Sequence, residues 1–93
     1  MEFEWDPTKI EDNEGKHGIS FEDAVVVFDD PYRREEDSSK PEHGETRREV
    51  VGRMGAVIVA VVYTDRDRRR RIISARIARR NERAGYDQGT SES

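Results

Sequence analysis

Three apolar runs in the second half of the chain predict the strands of a β-sheet. Val57–Tyr63 is apolar at odd and even positions alike, which is typical of a central strand covered on both faces. Arg47–Met54 and Arg70–Arg76 alternate more loosely on either side of it, with turns at Gly55 and Asp65–Asp67. Because the connections are short, these strands are expected to form an antiparallel meander.

A short strand and a helix are predicted at the start of the chain. Phe3–Trp5 alternates, and Asp6 and Pro7 follow it. An Asp side chain can cap free helix amides, and proline suits the first helical position because it has no N–H to leave unpaired. This helix is expected to run to His17, with Gly18 as its left-handed stop.

A second helix is predicted to begin at Ser20–Asp23, which resembles a capping box. The side chains expected to face the core recur at helical spacing and are Phe21, Ala24, Val25 and Phe28. Asp30 and Pro31 end this helix. The following segment, 31–46, is rich in charge, proline and glycine and is predicted to be a solvated loop.

The end of the chain predicts a short last helix, Ile77–Tyr86, and a disordered tail over residues 87–93. Taken together, the elements predict a single α+β domain over residues 1–86. Its order is β-α-α-β-β-β-α, with a mostly antiparallel four-stranded sheet.

Composition narrows the class of protein. Leucine is absent, and the aliphatic side chains are Val and Ile, which favour strands. Cysteine is also absent, which excludes disulfides and thiolate metal sites. The longest apolar run, Ala56–Tyr63, is much shorter than the roughly 20 residues of a membrane helix, and MEFEWDPTK does not have the pattern of a signal peptide. A cytoplasmic protein with no membrane contact is expected.

Charge is distributed unevenly along the chain. The formal net charge is −4, yet residues 1–45 hold five Lys/Arg and fifteen Asp/Glu, whereas residues 46–93 hold twelve and six. Nine arginines lie within the eighteen residues from Arg66 to Arg83. Either the second half contacts an anionic partner, or the two halves neutralise each other within the fold.

Strand alternation places Arg76 on the face of Ile72 and opposite to Arg71. In the following helix, four arginines recur at spacings of three and four and are predicted to form one basic stripe: Arg76, Arg79, Arg80 and Arg83. Guanidinium groups bind phosphate bidentately, so a groove beside this stripe would suit a phosphodiester. For the turn arginines 68–71, a solvated charge run is the alternative.

His17 is a candidate for proton transfer, although a partly buried histidine packed near the end of its helix is the alternative. Glu14 and His17 form half of a carboxylate metal motif. The second half is missing, and the sequence contains no Gly-rich phosphate loop or nucleophile elbow. No metal or other cofactor is therefore expected.

Five segments together resemble the BrnT family of bacterial type II toxins: FEWDPTK (3–9), KHGISFEDAVVVFDDP (16–31), GETRREVVGR (44–53), VVYTDR (61–66) and RIISARIARRNERAGY (71–86). They cover nearly the whole chain in the family's order. The resemblance implies a RelE-like fold and a ribonuclease that inhibits translation and growth. It also implies a BrnA-type antitoxin as partner. The ribbon-helix-helix domain of that antitoxin, rather than the toxin, would contact operator DNA.

The resemblance also implies roles for individual residues. The catalytic candidates are Arg66, Arg76, Arg80, His17 and Glu82. The candidates for substrate binding are Arg71, Arg79 and Arg83. A metal-independent ribonuclease of this kind uses the RNA's own 2′-hydroxyl as nucleophile, with Arg76 and Arg80 stabilising charge and His17 or Glu82 transferring protons. The alternative is a non-catalytic module that binds nucleic acid or protein through the same Arg66–Arg83 stripe.

Overall fold

The Val- and Ile-rich runs pair as expected and form the centre of a five-stranded sheet in the computed structural model, which describes residues 1–91. The strands are β1 (Glu2–Trp5), β2 (Arg34–Asp37), β3 (Arg48–Met54), β4 (Val57–Arg66) and β5 (Arg69–Ile77). The α-helices are α1 (Ile10–His17), α2 (Phe21–Ala24) and α3 (Arg80–Ser91). Short 3₁₀ helices cover Pro7–Lys9, Val25–Asp29 and Pro41–His43.

The spatial order of the sheet is β1-β5-β4-β3-β2. β1 pairs with β5 in parallel, and the other three pairings are antiparallel. The α+β class and the mostly antiparallel sheet are thus confirmed, but the prediction of four strands is wrong. The fifth strand, β2, lies in the segment predicted to be a solvated loop. Its sequence is REED and every residue is exposed, so this edge strand carries no apolar alternation that would reveal it.

The N-terminal helix begins and ends as predicted. The Asp6 carboxylate accepts a hydrogen bond from the Thr8 amide at 3.0 Å, and Pro7 occupies the first turn, which is 3₁₀. α1 ends at His17, and Gly18 has a φ of 69°, the left-handed conformation that favours glycine.

The second predicted helix is also confirmed at its start. The Ser20 hydroxyl caps the Asp23 amide at 3.0 Å, and α2 continues as the 3₁₀ segment Val25–Asp29. This segment crosses β3 closely at Gly52, where a Cβ atom would lie 3.0 Å from the Cβ of Val27. A larger residue at position 52 would push the segment away from the sheet.

Two clusters of buried side chains hold the layers together, one on each face of the sheet. The first lies under α1 and α2 and contains Ile19, Phe21, Ala24, Val27, Val50, Val59, Val61, Tyr63, Ile72 and Ala75, with Val25 and Phe28 packed against it. The second lies under α3 and contains Val51, Ile58, Ala60, Ala78 and Tyr86. We call these two sides of the sheet the α1 face and the α3 face.

A buried amide side chain completes the sheet where β1 stops. β1 ends at Trp5, opposite Ile72, so the next residues of β5 would lack a neighbouring strand. Asn13 fills this place: its amide donates to the Ala75 carbonyl at 3.0 Å and accepts from the Ala75 amide at 3.1 Å. It also donates to the Ile19 carbonyl at 2.9 Å, which ties α1 to both the sheet and the next loop. Asn13 is only 7% exposed.

A β-bulge in β5 overturns the predicted alternation of that strand. Ile72 lies opposite Tyr63 and Ser74 lies opposite Val62, so Ile73 is an extra residue between two consecutive partners. Beyond the bulge the two faces are exchanged. Arg76 therefore lies on the α3 face, opposite to Ile72, whereas simple alternation predicted that the two would share a face.

The last helix starts and ends later than predicted. The Ala78 amide donates to the Ile58 carbonyl at 3.0 Å, so the chain stays on the sheet past Ile77, and α3 begins only at Arg80. The predicted disordered tail is wrong for residues 87–91, which continue α3. The Arg34 side chain donates to the Gly85 carbonyl at 3.1 Å and fixes the second half of this helix. The rest of the predicted tail, residues 92 and 93, lies outside the described residues.

Within residues 1–91, no helix is both long enough and apolar enough to cross a membrane.

Candidate active site on the α3 face

An arginine held between two carboxylates lies at the end of β5 beside α3. The two terminal nitrogens of Arg76 donate to the two oxygens of Glu82 at 2.7 and 2.9 Å, in a bidentate pair. The same guanidinium donates to Glu49 at 3.1 Å. The side chains of Arg76, Glu49 and Glu82 are 17, 15 and 11% exposed, so solvent screens this cluster only partly.

Three different elements bring these side chains together. Arg76, near the end of β5, pairs with Ala60 of β4. Glu49, in β3, pairs with Val62 of β4, so both side chains reach the α3 face. Glu82 is the third residue of α3 and accepts a hydrogen bond from the Arg79 amide at 2.7 Å. An acid at this position satisfies a free amide at the helix start, as in a capping box. The cap fixes the Glu82 carboxylate, and the carboxylate in turn fixes Arg76.

The two carboxyl groups of the cluster have pKa values shifted in opposite directions. Burial, together with the neighbouring Glu82 carboxylate, raises the pKa of Glu49 from 4.5 to about 7, although Arg76 opposes this shift. The hydrogen bonds from Arg76 lower the pKa of Glu82 to about 2. At neutral pH, Glu82 is therefore a permanent anion, whereas Glu49 exchanges a proton. Two carboxyls with separated pKa values are a common arrangement in acid–base catalysis.

Glu49 was not among the residues predicted from the sequence. In the run Arg48–Val51 it is one charged strand residue among others, with no motif around it. Only the register of β3 with β4, and the bulge that turns Arg76 to the same face, bring the two side chains into contact. The alternation of β3 does predict that Glu49 and Val51 share a face, but not which residues of other strands they meet.

The predicted stripe of four arginines on one helix is wrong. Arg76 belongs to β5 and Arg79 precedes α3, so only Arg80 and Arg83 lie on the helix. Arg80 is two residues from Glu82, which is about 200° around the helix axis and away from the sheet. Within residues 1–91, three of these arginines are exposed and make no ion pair, namely Arg79, Arg80 and Arg83.

Arg66 and Arg71 lie on the same face as Arg76, farther along the sheet. Arg71 is opposite Thr64, and Arg66 is two residues further along β4. Between them and Arg76, α3 leaves the sheet partly uncovered, since Val62 and Ser74 are half-buried. The arginines at positions 66, 71 and 76 thus border one open strip of the α3 face.

His17 does not join this group. It is exposed at the end of α1 and lines a cavity of about 230 Å³ with Lys9, Lys16, Ile73 and Ser74, which contains none of these arginines. The predicted alternative, a partly buried histidine, is not what the structure has either. Among residues 1–91, no group of three or more His, Cys, Asp or Glu side chains is arranged to hold a metal ion.

The chain matches the model of a known protein family. A family model described as "Ribonuclease toxin, BrnT, of type II toxin-antitoxin system" matches residues 5–82 of the chain. This range includes the last residue of β1, the two N-terminal helices, the whole meander and all three members of the Arg76 cluster. A search of curated proteins found none that matches the chain.

Proposed function

The chain belongs to the BrnT family of ribonuclease toxins of type II toxin–antitoxin systems, and on that premise we propose that it cleaves RNA at the Arg76 cluster, without a metal ion. One observation carries the proposal. Glu49, a carboxyl group whose pKa is raised to about 7, contacts a fixed guanidinium on a sheet face that is open to a polymer. Perturbed carboxyls of this kind are concentrated at functional sites.

In the proposed reaction, Glu49 in its ionised form accepts the proton of an RNA 2′-hydroxyl. The 2′-oxygen attacks the adjacent phosphorus, the bond to the 5′-oxygen breaks, and the leaving oxygen takes a proton from water, to which Glu49 then returns its own. The products are a 2′,3′-cyclic phosphate and a 5′-hydroxyl. A base whose pKa lies near the working pH is both available and strong enough to accept this proton, and such catalysis typically contributes about 10²- to 10⁴-fold in rate.

Arg76 supplies the charge that the phosphorane-like transition state needs. It already contacts Glu49, so a phosphate whose 2′-hydroxyl reaches Glu49 also lies beside the guanidinium. Glu82 holds Arg76 by two hydrogen bonds, so little reorganisation is required when charge develops. Because the pKa of Glu82 is about 2, this residue positions Arg76 and does not transfer protons at neutral pH.

Other arginines are assigned to substrate binding. Arg79 and Arg83 flank Glu82 at the start of α3 and carry charges that no acid within residues 1–91 neutralises. They are well placed to contact RNA phosphates next to the cleaved bond. His17, which faces another cavity, and Arg80, which points away from the sheet, take no part in this proposal.

The partner that neutralises the toxin is proposed to be a BrnA-type antitoxin, because the family description places its members in toxin–antitoxin pairs. Its ribbon-helix-helix domain would bind operator DNA for the complex. Cleavage of RNA would inhibit translation and growth of the cell. An acidic segment of the antitoxin that contacts Arg79 and Arg83 would block access to the cluster.

The decisive experiment uses purified, antitoxin-free protein and one defined RNA, with and without EDTA. We expect cleavage in both conditions, with cyclic phosphate and 5′-hydroxyl ends, and a rate that rises with pH through about 7 as Glu49 ionises. Cleavage that EDTA abolishes would contradict the metal-free mechanism. RNA binding without cleavage would instead support a non-catalytic nucleic-acid-binding module.

A further inference from the structure

A basic cavity of about 200 Å³ lies at the end of the sheet away from α3. Its cations lie in the 3₁₀ turn after β1, directly before β3, at the end of β4 and near the start of β5. The charged side chains that line it are Lys9, Arg47, Arg66, Arg71, Asp6 and Glu45. Nothing in the mechanism proposed above uses Lys9 or Arg47.

The bulge at Ile73 puts this cavity on the same face as the Arg76 cluster. Arg71 and Arg76 are five residues apart, so in a regular strand their side chains would point to opposite faces. The extra residue brings both to the α3 face, where bulges commonly redirect side chains towards a site. Their partners, Thr64 and Ala60, are four residues apart in β4, which separates the two arginines by about 13 Å along the sheet.

The positive charge of the cavity is only partly neutralised. Within residues 1–91, neither Lys9 nor Arg66 makes an ion pair. The Nε of Arg71 is buried without a hydrogen-bond partner, and its nearest acid, Glu4, is 3.6 Å away. A buried guanidinium N–H without an acceptor is costly, and a bound anion would satisfy it.

The two acids of the cavity are already engaged elsewhere. The Asp6 carboxylate accepts hydrogen bonds from the amide and the hydroxyl of Thr8, at 3.0 and 2.8 Å. Glu45 contacts the Nε of Arg47 at 2.9 Å. Asp6 is attracted to Lys9 and Arg71 but forms no ion pair with either, and Arg71 is paired with Glu4. With four cations and two acids in its lining, the cavity still carries an excess of positive charge.

We propose that this cavity binds a second phosphate of a single-stranded RNA whose cleaved phosphate lies at Arg76. A separation of about 13 Å along the strands is too long for adjacent phosphates, so the two sites hold phosphates with at least one nucleotide between them. Ile73, which is half-buried, also lines the cavity and offers an apolar surface to a ribose or an unstacked base. Splayed bases are a feature of single strands, not of duplexes.

This inference rests on the proposed ribonuclease function and predicts a dependence on RNA length. Cleavage and binding are compared for a dinucleotide and a hexanucleotide, with 2′-O-methyl versions of both for the binding measurements. We expect the protein to bind the hexanucleotide more tightly. Lys9→Ala should weaken hexanucleotide binding about tenfold and leave dinucleotide binding unchanged.

The salt dependence gives a second readout. For a single strand, each lost phosphate contact reduces the slope of log Kd against log salt concentration by about 0.7. Lys9→Ala should show this smaller slope with the hexanucleotide. In the cleavage assay the same variant should raise KM and leave kcat unchanged. Lys40→Ala is the matched control, because it removes one exposed positive charge from the loop before the Pro41–His43 turn. It should change neither the binding nor the cleavage of either RNA.

The outcomes separate this inference from the proposed function. If the protein cleaves RNA but Lys9→Ala affects both lengths equally or neither, the cavity is not a phosphate subsite. An acidic protein segment would then be the candidate occupant. If the protein binds the hexanucleotide through Lys9 but cleaves nothing, the subsite is confirmed and the ribonuclease proposal fails.

Discussion

Replacing Glu49 with Gln should abolish RNA cleavage and at the same time stabilise the fold above neutral pH. Gln keeps the size of the side chain and can still accept a hydrogen bond from Arg76. It cannot accept the proton of a 2′-hydroxyl, so the cleavage rate should fall by about a hundredfold or more. If Glu49 had only a structural role, removing its ion pair with Arg76 would destabilise the protein rather than stabilise it.

The size of the stabilisation follows from the pKa of Glu49. Burial and the neighbouring Glu82 raise this pKa from 4.5 to about 7, so the folded state favours the protonated form. The contribution of protonated Glu49 to the stability of the folded state is fully present below pH 4.5 and is lost as the pH rises through about 7. At about 1.4 kcal/mol for each pH unit, ionisation at pH 8 costs at most about 3 kcal/mol. Since the cluster rearranges and Arg76 loses a charged partner, we expect a net gain of about 1–2 kcal/mol.

Urea unfolding of the wild type and Glu49→Gln at pH 5 and pH 8 measures this effect. The wild type should lose stability between the two values, and the variant should change much less, so that the two differ mainly at pH 8. Glu14→Gln serves as the control, because Glu14 is exposed on α1, on the other side of the sheet from Glu49. Equal losses of stability for Glu49→Gln at both pH values would refute the raised pKa, and retained cleavage would refute the role as base.

Two further predictions concern the other buried polar contacts. Arg76→Ala should destabilise the protein by about 2 kcal/mol at pH 8 and less at pH 5, because it leaves Glu49 and Glu82 without their cation. In contrast, Arg80→Ala should alter thermal stability by less than about 0.5 kcal/mol, and equal losses for both arginines would contradict this account. Asn13→Ala should cost about 3 kcal/mol in urea unfolding, since three buried hydrogen bonds are lost. The exposed neighbour Glu14→Ala is its control, and an equally stable Asn13→Ala would show that the sheet edge needs no amide.

The sequence predicts the elements whose signals are local. Asp6 and Ser20 cap their helices as expected, Gly18 ends α1, and the doubly apolar run at Val57–Tyr63 is a central strand. Each of these features depends on residues within one turn of each other or on burial of one strand. The class of the fold follows from them.

The features that escape prediction depend on residues far apart in the chain. β2 is a strand only because β3 offers its edge, since nothing in REED favours pairing. The bulge at Ile73 is visible only in the register of β5 with β4, and without it Arg76 is assigned to the wrong face. Glu49 and Arg76 are separated by 27 residues and meet through that register alone. The arginines could be counted from the sequence, but which of them has carboxylate partners could not.

The pairing of β1 with β5 determines when the protein can assemble during its own synthesis. β1 contains residues 2–5, but the part of β5 that pairs with it contains residues 69–72. Asn13 forms its hydrogen bonds with Ala75, which lies 62 residues later in the chain. Contacts this distant form late, because the entropy of closing the intervening loop must be overcome first. The N-terminal quarter therefore has no sheet to join until most of the chain has left the ribosome. The Arg76 cluster closes only after α3 has started, so a nascent or truncated chain that ends before residue 82 has no complete site. The proposed site is therefore complete only once residue 82 has been synthesised and α3 has formed on the sheet.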